Sequence, residues 1–164
     1  MTITCCFIRE QYFLDNAHFV KMLDAGNTAK QARRTHICIE IFANNNFFYI
    51  PLRRNLGADV RKFGRIGHSV PTSGRPDAGL DYRYSLIVNN SEYIEIPETQ
   101  RIPDSQYQKL AADFPTIQAE FGQYIAGFIK AAKKNRIERE PLYRESSLVN
   151  FRHELCSQDV IITK

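Results

Sequence analysis

The sequence predicts an α+β domain in which helices pack on an antiparallel sheet. Strand patterns rich in β-branched and apolar residues precede Pro97, and helical spacing of apolar residues follows it. Strands followed by helices are typical of this class. The length of 164 residues predicts one domain, 1–164.

The first half of the chain contains the clearest local signal, a β-hairpin. Segment 2–8 is predicted as a strand and segment 13–23 as a short amphipathic helix. Segments 35–42 and 47–52 are mostly apolar, and a run of asparagines separates them. Because asparagine tolerates the positive φ of hairpin turns, the two segments are expected to pair.

A long irregular loop is predicted after the hairpin. Pro51 cannot donate to a strand ladder, so it ends the second strand or lies at an edge. Segment 55–78 is rich in glycine and proline, and long loops in compact domains tend to be functional. Two further strands are predicted at 82–88 and 92–96.

Three helices are predicted in the remainder, which makes the C-terminal half mainly helical. Asp104 can cap a short helix that extends to residue 111, and segment 114–134 presents an apolar stripe on one side. Pro141 is expected to begin a last helix.

The positive charge is concentrated in the middle third of the chain. The whole chain has a net charge of +4, whereas segment 30–83 contains ten basic and four acidic residues, a net charge of +6. Arginine predominates there, and its planar guanidinium suits phosphate oxygens and stacks on bases. The charge therefore indicates either a nucleic-acid or other polyanion site, or a solvated basic surface without a partner.

Several classes of protein are excluded by missing motifs. The sequence contains no P-loop, GxGxxG, HExxH or GxSxG motif, and no apolar run long enough to span a membrane. We expect a cytoplasmic protein with no cofactor, no metal site and no membrane partner. A nuclease of this kind would use the 2′-hydroxyl of RNA as its nucleophile, together with groups that transfer protons and stabilise charge on phosphorus.

Candidate residues for that chemistry lie where the second hairpin strand ends. Arg53, Arg54 and Asn55 are consecutive, and neighbouring strand residues point to opposite faces, so one arginine is expected to face a given site. His68, in the long loop, is a candidate general acid or base. His36 and His153 are interpreted as structural and His18 as a surface residue.

An ordered set of segments resembles the toxin endoribonucleases of type III toxin–antitoxin systems, the ToxN/AbiQ superfamily. The similar segments are 34–41, 49–55, 79–88, 121–130 and 146–155. The second contains Ile-Pro-Leu-Arg, and the third begins with Gly-Leu-Asp followed by an aromatic residue. These features are most similar to the CptN/TenpN-like branch.

The resemblance implies a fold, an activity and a partner. The fold is a strongly twisted, small barrel-like antiparallel sheet with helices packed on it. The activity is metal-independent RNA cleavage that leaves 2′,3′-cyclic phosphate and 5′-hydroxyl ends. The partner is a small, repeat-derived, pseudoknot-like RNA antitoxin in a closed protein–RNA assembly. The substrates are cellular or phage RNA, and the role is phage defence by abortive infection.

The resemblance also places the active groove at residues 51–55 and the following loop. Arg53 and Arg54 are assigned to phosphate binding and transition-state stabilisation, and His68 and Tyr84 complete the catalytic set. Arg54 stands where the family has a hydroxyl residue, and Tyr84 stands where it has lysine. The predicted RNA-binding residues are Lys30, Arg33, Arg34, Asn55, Arg61, Lys62, Arg65, Arg83 and Ser85.

Two alternatives use the same residues without cleavage. The first is a non-catalytic RNA-binding module whose arginine-rich loop, 53–83, grips phosphates. The second is a structural or protein-interaction domain whose basic loop meets an acidic partner.

Overall fold

The computed structural model describes residues 3–41, 45–58 and 66–156. Seven described strands form one antiparallel sheet in the order β4-β5-β3-β2-β1-β7, and β6 also pairs with β3. The strands are β1 (Cys5–Ile8), β2 (His36–Ile41), β3 (Asn46–Arg53), β4 (Gly67–Ser69), β5 (Gly79–Asp81), β6 (Leu86–Ile87) and β7 (Ile94–Glu95).

The helices confirm the α+β prediction. They are α1 (Glu10–Asp15), α2 (Thr28–Ala32), α3 (Asp104–Lys133) and α4 (Arg152–Cys156), with 3-10 turns at Tyr82–Tyr84, Ser91–Tyr93, Ile137–Arg139 and Ser147–Phe151. The barrel-like closure implied by the resemblance is absent from the described strands, because β4 and β7 end the strand path and do not pair with each other. None of the helices in the described ranges is both long and apolar enough to cross a membrane.

The predicted hairpin is confirmed as β2 and β3. Ile37 lies opposite Ile50, and His36 lies opposite Pro51. Because side chains alternate along a strand, Ile37 and Ile50 share one face and His36, Pro51 and Arg53 share the other. Turn residues 42–44 fall outside the described ranges.

Helix α3 covers the face of the sheet that carries Phe48 and Ile50. The rings of Phe48 and Phe121 meet edge to face with centroids 5.3 Å apart. The sequence predicts two helices here, but α3 continues through Pro115 as one helix of 30 residues. Pro115 is exposed, and buried Phe114 and Ile117 anchor the helix to the core on either side of it.

The N-terminal segment differs most from its prediction. A helix is expected at 13–23, but α1 ends at Asp15, where the Asn16 side chain donates to the Tyr12 carbonyl. The short helix α2 was not predicted, and Asn27 caps it by accepting from the Lys30 backbone. Tyr12 ties α1 to the sheet by donating to the Ile87 carbonyl at 3.0 Å.

Three later boundaries also differ from the sequence prediction. The predicted strand 82–88 begins as a 3-10 turn, because the Asp81 side chain accepts from the Arg83 backbone. Strand β4 lies inside the predicted irregular loop. The last helix begins at Arg152 instead of Pro141, after a series of turns.

Candidate nucleic-acid interface

A buried carboxylate organises two arginines where β3 and β5 end. Asp81 is fully buried and accepts from Arg53 Nη1 at 2.8 Å. It also accepts from Arg83 Nε at 3.0 Å and Nη2 at 2.9 Å. The Tyr84 ring lies against both guanidinium groups, 5.6 Å from Arg53 Cζ and 5.3 Å from Arg83 Cζ. Arg53 is the more accessible arginine, since a quarter of its side chain is exposed.

A second carboxylate organises the loop before β2. Asp24 accepts from Arg34 Nη2 at 2.7 Å and pairs with Lys30 Nζ at 3.0 Å. Burial alone would raise the pKa of Asp24, but these hydrogen bonds hold it below its ordinary value. Arg34 Nη1 also donates to the Leu52 carbonyl at 3.3 Å, so this cluster is attached to β3 one residue before Arg53.

Together these groups make one positively charged surface, which we call the Arg53 corner. Its members are Lys30, Arg34, Arg53 and Tyr84, which are connected through Asp24, the Leu52 carbonyl and the ring contact of Arg53, and Arg54, which follows Arg53 in the chain. Arg54 is exposed and, within the described residues, forms no hydrogen bond or ion pair. The four cations Lys30, Arg34, Arg53 and Arg54 are balanced by only two carboxylates. These are Asp24 and Asp81, and Asp81 also neutralises Arg83. The excess charge attracts anions, and the paired arginines are held in place beforehand.

A shallow cleft, the Tyr84 cleft, opens beside the Arg53 corner. Its lining residues surround about 250 Å³ of space when the open solvent at its mouth is included, and the closed part has room for about one water molecule. Its polar lining comes from Asp24, Gln31, Arg34, His36 and Tyr84, and apolar side chains complete the walls. Burial raises the pKa of Tyr84, so its phenol keeps its proton at neutral pH and can donate a hydrogen bond.

His68 lies on the other face of the sheet from Arg53. It stands opposite Leu80, whereas Arg53 stands opposite Gly79, one residue away in the ladder. His68 Nε2 lies 2.9 Å from Asp113 Oδ2, and Nδ1 lies 3.2 Å from both Glu120 carboxylate oxygens. Both carboxylates belong to α3. The structure therefore separates His68 from the arginines with which the sequence prediction grouped it.

The other predicted RNA contacts have mixed surroundings. Arg33 is exposed, and its Nε donates to the Ala29 carbonyl. Asn55 is exposed, and its side chain accepts from the Gly57 backbone, which shapes the turn after Arg54.

The predicted RNA contact at Ser85 does not agree with its burial. Ser85 is completely buried, and its hydroxyl donates to the Tyr82 carbonyl at 2.6 Å. It stabilises the 3-10 turn and does not face solvent. The predicted contacts at Arg61, Lys62 and Arg65 lie outside the described residues.

Asp24 and Asp81, the carboxylates that arrange these cations, are not among the predicted site residues. Asp81 precedes Arg83 by two residues, a spacing that allows the local hydrogen bonds seen here. Asp24 has a positive φ of 55°, a conformation that Asp tolerates better than most residues. Asp24 directly follows the helix predicted at 13–23, which was the available signal, but its pairing with Arg34 depends on the folded loop. Across residues 3–41, 45–58 and 66–156, no three His, Cys, Asp or Glu residues are grouped to hold a metal ion.

Comparisons with known proteins identify the fold. No protein-family model matches the chain, and no curated protein sequence matches it. The chain is similar to the solved structure of AbiQ, a lactococcal anti-phage endoribonuclease of a type III toxin–antitoxin system. The TM-score is 0.65 at 15% identity, over 96% of this chain and 99% of that one.

A second solved structure agrees with the first. It comes from a bacterial type III toxin–antitoxin system in which a non-coding RNA pseudoknot selectively inhibits the toxin. The TM-score is 0.58 at 12% identity, over 76% of this chain and 78% of that one. The chain therefore has an α+β fold similar to those of type III toxin–antitoxin structures.

Proposed function

We propose that the protein is a type III toxin: a metal-independent endoribonuclease that an RNA antitoxin holds inactive. The observation that carries this proposal is the Arg53 corner, a preorganised set of cations at the end of β3 beside an open cleft. Similarity of fold to AbiQ supports the reaction class, and the ordered segments support the CptN/TenpN-like branch.

The proposed reaction is attack by the RNA 2′-hydroxyl on the adjacent phosphorus. The 2′-oxygen bonds to phosphorus while the bond to the 5′-oxygen breaks, which leaves a 2′,3′-cyclic phosphate and a 5′-hydroxyl. The attacking hydroxyl loses a proton, and the leaving oxygen gains one. Negative charge grows on the phosphoryl oxygens in the transition state, so fixed cations aimed there accelerate the step.

The residues of the Arg53 corner divide this work. Arg53 stabilises the phosphoryl charge and is oriented by Asp81, and exposed Arg54 adds a second guanidinium. The Tyr84 hydroxyl donates a hydrogen bond to the phosphate. In these roles Arg54 replaces the hydroxyl residue of the family, and Tyr84 replaces its lysine. The buried guanidinium of Arg83 positions Asp81 and Tyr84.

Backbone contacts beyond the reacting phosphate come from both sides of the Arg53 corner. On one side of the reacting phosphate the RNA strand contacts Lys30, Arg33 and Arg34. On the other side it contacts Asn55. Such contacts supply affinity without reading sequence. Arg61, Lys62 and Arg65 are proposed as further RNA contacts on the basis of their charge in the sequence. Ser85 and His68 are excluded from the proposed interface because of their positions.

The antitoxin is proposed to bind the same surface. A repeat-derived, pseudoknot-like RNA in a closed assembly would cover the Arg53 corner and so block substrate. Loss of that RNA during phage infection would release cleavage of cellular or phage RNA in the cytoplasm and arrest the host.

Expression without a companion RNA tests the proposal. We expect the wild-type chain to arrest growth and to generate new 5′-hydroxyl RNA ends. The Arg53→Ala/Arg54→Ala variant is expected to do neither at equal protein level. Arg101→Ala is the matched control, because Arg101 is an exposed arginine in the segment that leads into α3.

Two other outcomes would contradict the proposal. If the wild type is harmless and leaves RNA intact but copurifies with RNA, the protein is the non-catalytic RNA-binding module. If it neither cleaves nor binds RNA, the basic surface serves another partner.

A further inference from the structure

His36 is a buried histidine with one ring nitrogen left unpaired beside the Arg53 corner. Only 3% of the residue is exposed, and it lines the Tyr84 cleft. Its Nδ1 lies 3.0 Å from the Arg34 carbonyl. Because a carbonyl oxygen can only accept, Nδ1 carries the hydrogen, and in the neutral ring Nε2 is left as an acceptor.

The Nε2 lone pair opens into the cleft. No hydrogen bond to Nε2 is formed by any described residue, and no fully buried side-chain nitrogen or oxygen in the described ranges lacks a partner. Nε2 is therefore accessible from outside the protein. The cleft that His36 lines is the Tyr84 cleft, so we assign this access to it. Gln31 repeats the pattern: it is 7% exposed, its amide nitrogen donates to the Leu23 carbonyl, and its oxygen has no described partner.

We infer that the Tyr84 cleft binds the edge of an unpaired nucleobase, with His36 Nε2 accepting a hydrogen bond from a base N–H group. This inference rests on the proposed function, because it needs RNA at the Arg53 corner. The closed part of the cleft has room for one N–H group at the edge of a base, which is about the size of a water molecule. Unpaired bases are recognised on the edges that pairing would otherwise occupy.

The chemistry of His36 favours recognition over proton transfer. Burial lowers the pKa of His36 from its ordinary value of 6.5 to about 4. The ring is therefore neutral at pH 7, and Nε2 stays available as an acceptor. A general base works best when its pKa lies near the working pH, so His36 is poorly suited to remove the 2′-hydroxyl proton.

The acceptors in the cleft predict an order of preference among bases. Guanine presents two adjacent N–H donor groups on its pairing edge, whereas uracil presents one between two carbonyl acceptors. Guanine is therefore expected to bind most tightly and uracil least. The loss of one buried hydrogen bond corresponds to about a fivefold to tenfold change in affinity.

Binding of short labelled RNAs tests the inference. The probes are 2′-fluoro pentanucleotides that differ only at the central position, which carries each of the four bases or an abasic residue between uridines. They lack the attacking hydroxyl and so cannot be cleaved by the proposed reaction. Fluorescence anisotropy at low salt gives the affinity of each probe.

The wild type is expected to bind the guanine probe about tenfold more tightly than the abasic probe. His36→Leu should remove that preference and leave abasic binding unchanged. His36→Gln, which keeps an acceptor, should restore part of it. His18→Leu is the matched control, because His18 is exposed. If His36→Leu does not fold, as judged by circular dichroism, Leu23→Trp narrows the cleft instead and should also remove the preference.

The contradicting outcomes are distinct. Equal binding of all five probes by the wild type, or an unchanged preference in His36→Leu, overturns this inference and leaves the Arg53 corner as an RNA site. Failure of the wild type to bind any probe overturns the proposed function as well.

Discussion

Asp81 determines how two of the arginines are held. A carboxylate with no exposed surface is stable only when its charge is neutralised and its oxygens are hydrogen-bonded, and Arg53 and Arg83 supply both. Arg53 is thereby held in place, and under the proposed function it loses less side-chain entropy when it binds a phosphate.

The two ends of this ion pair should differ in their effect on stability. Asp81→Asn removes the buried negative charge that Arg53 and Arg83 share, so the free energy of unfolding should fall by about 3 kcal/mol. Arg53→Ala leaves Asp81 paired with Arg83 and should cost about 1 kcal/mol. Urea unfolding gives both values. Equal losses of unfolding free energy in the two variants would contradict the view that Arg53 contributes little to stability and is held by Asp81 for binding.

His36 makes stability depend on pH. The unfolded chain takes up a proton on this histidine below pH 6.5, whereas the folded chain resists until about pH 4. The unfolded state therefore binds more protons in that window, and wild-type stability should fall by about 3 kcal/mol between pH 7 and pH 4 because of this group.

Comparison with His36→Leu isolates the contribution of this histidine. The carboxyl pKa values of Asp24 and Asp113 are also lowered, so their contributions are lost at more acid pH in both chains and cancel in the difference. Urea unfolding of both proteins at several pH values gives the result. A constant difference from pH 7 to pH 4 would show that His36 is not held neutral.

Sequence reasoning located the charged residues but not their partners. The pattern after β3 identified Arg53 and Arg54, because consecutive arginines at a strand end are visible in one dimension. The pairing of Asp24 with Arg34 depends on how the loop folds over ten residues. Only the strand register shows that His36 and His68 occupy opposite faces of the sheet.

Gly79 allows β4, β5 and the loop after β3 to approach closely. A Cβ atom at this position would lie 2.3 Å from the His68 carbonyl oxygen and 2.6 Å from Leu56 Cδ1. Leu56 is buried, and its backbone donates to the Asp77 carbonyl at 2.9 Å. The glycine thus lets Leu56 hold the segment that carries Arg54 against the sheet.

Gly79→Ala should therefore destabilise the protein by about 2 kcal/mol, since backbone must move to relieve the clash. It should also weaken RNA binding. Gly122→Ala is the control: this glycine lies inside α3 with open space around its missing Cβ, and the change should stabilise by about 0.5–1 kcal/mol. Thermal unfolding ranks the two variants. A neutral Gly79→Ala would mean that the strands adjust freely.

His68 connects β4 to α3 on the face of the sheet opposite Arg53. Asp113 also accepts from Lys109 at 2.7 Å, and Glu120 accepts from the Tyr82 hydroxyl at 2.7 Å. The hydrogen bonds from His68 and Lys109 lower the pKa of Asp113. This network joins a short strand without a strong sequence pattern to the long helix.

His68→Ala should lower the free energy of unfolding by about 1 kcal/mol, because both carboxylates keep another partner. RNA cleavage at a temperature where the variant is folded should be unchanged. Cleavage assays on matched amounts of folded protein provide the measurement. A loss as large as that of Arg53→Ala would return His68 to the catalytic set.

The elements that sequence predicted well are those with strong periodic patterns. The hairpin followed from two apolar segments around asparagines, and most of α3 followed from its apolar stripe. Strands β4 and β5 have three residues each, which is too short for alternation to show, and tertiary pairing defines them. The two helices predicted at 104–111 and 114–134 form one helix, because core packing on both sides of Pro115 holds it together.

Fold and charge distribution together support the proposed account. Helix α3 packs on one face of the sheet, and Lys30, Arg34 and Arg53 lie near the Tyr84 cleft on the other face. Attraction of RNA to this surface should weaken with salt, because bound counterions are released from phosphates. Cleavage itself is the stricter test, since binding alone fits a non-catalytic module equally well.

Cleavage of a defined RNA by the purified protein in the presence of EDTA tests the proposed activity. The account predicts products with 2′,3′-cyclic phosphate and 5′-hydroxyl ends, and loss of each cut when the nucleotide before it carries a single 2′-deoxy substitution. Arg53→Ala/Arg54→Ala should abolish the products and Arg101→Ala should not. Cleavage that persists at the 2′-deoxy position, or the absence of any cleavage by a folded wild-type chain, would contradict it.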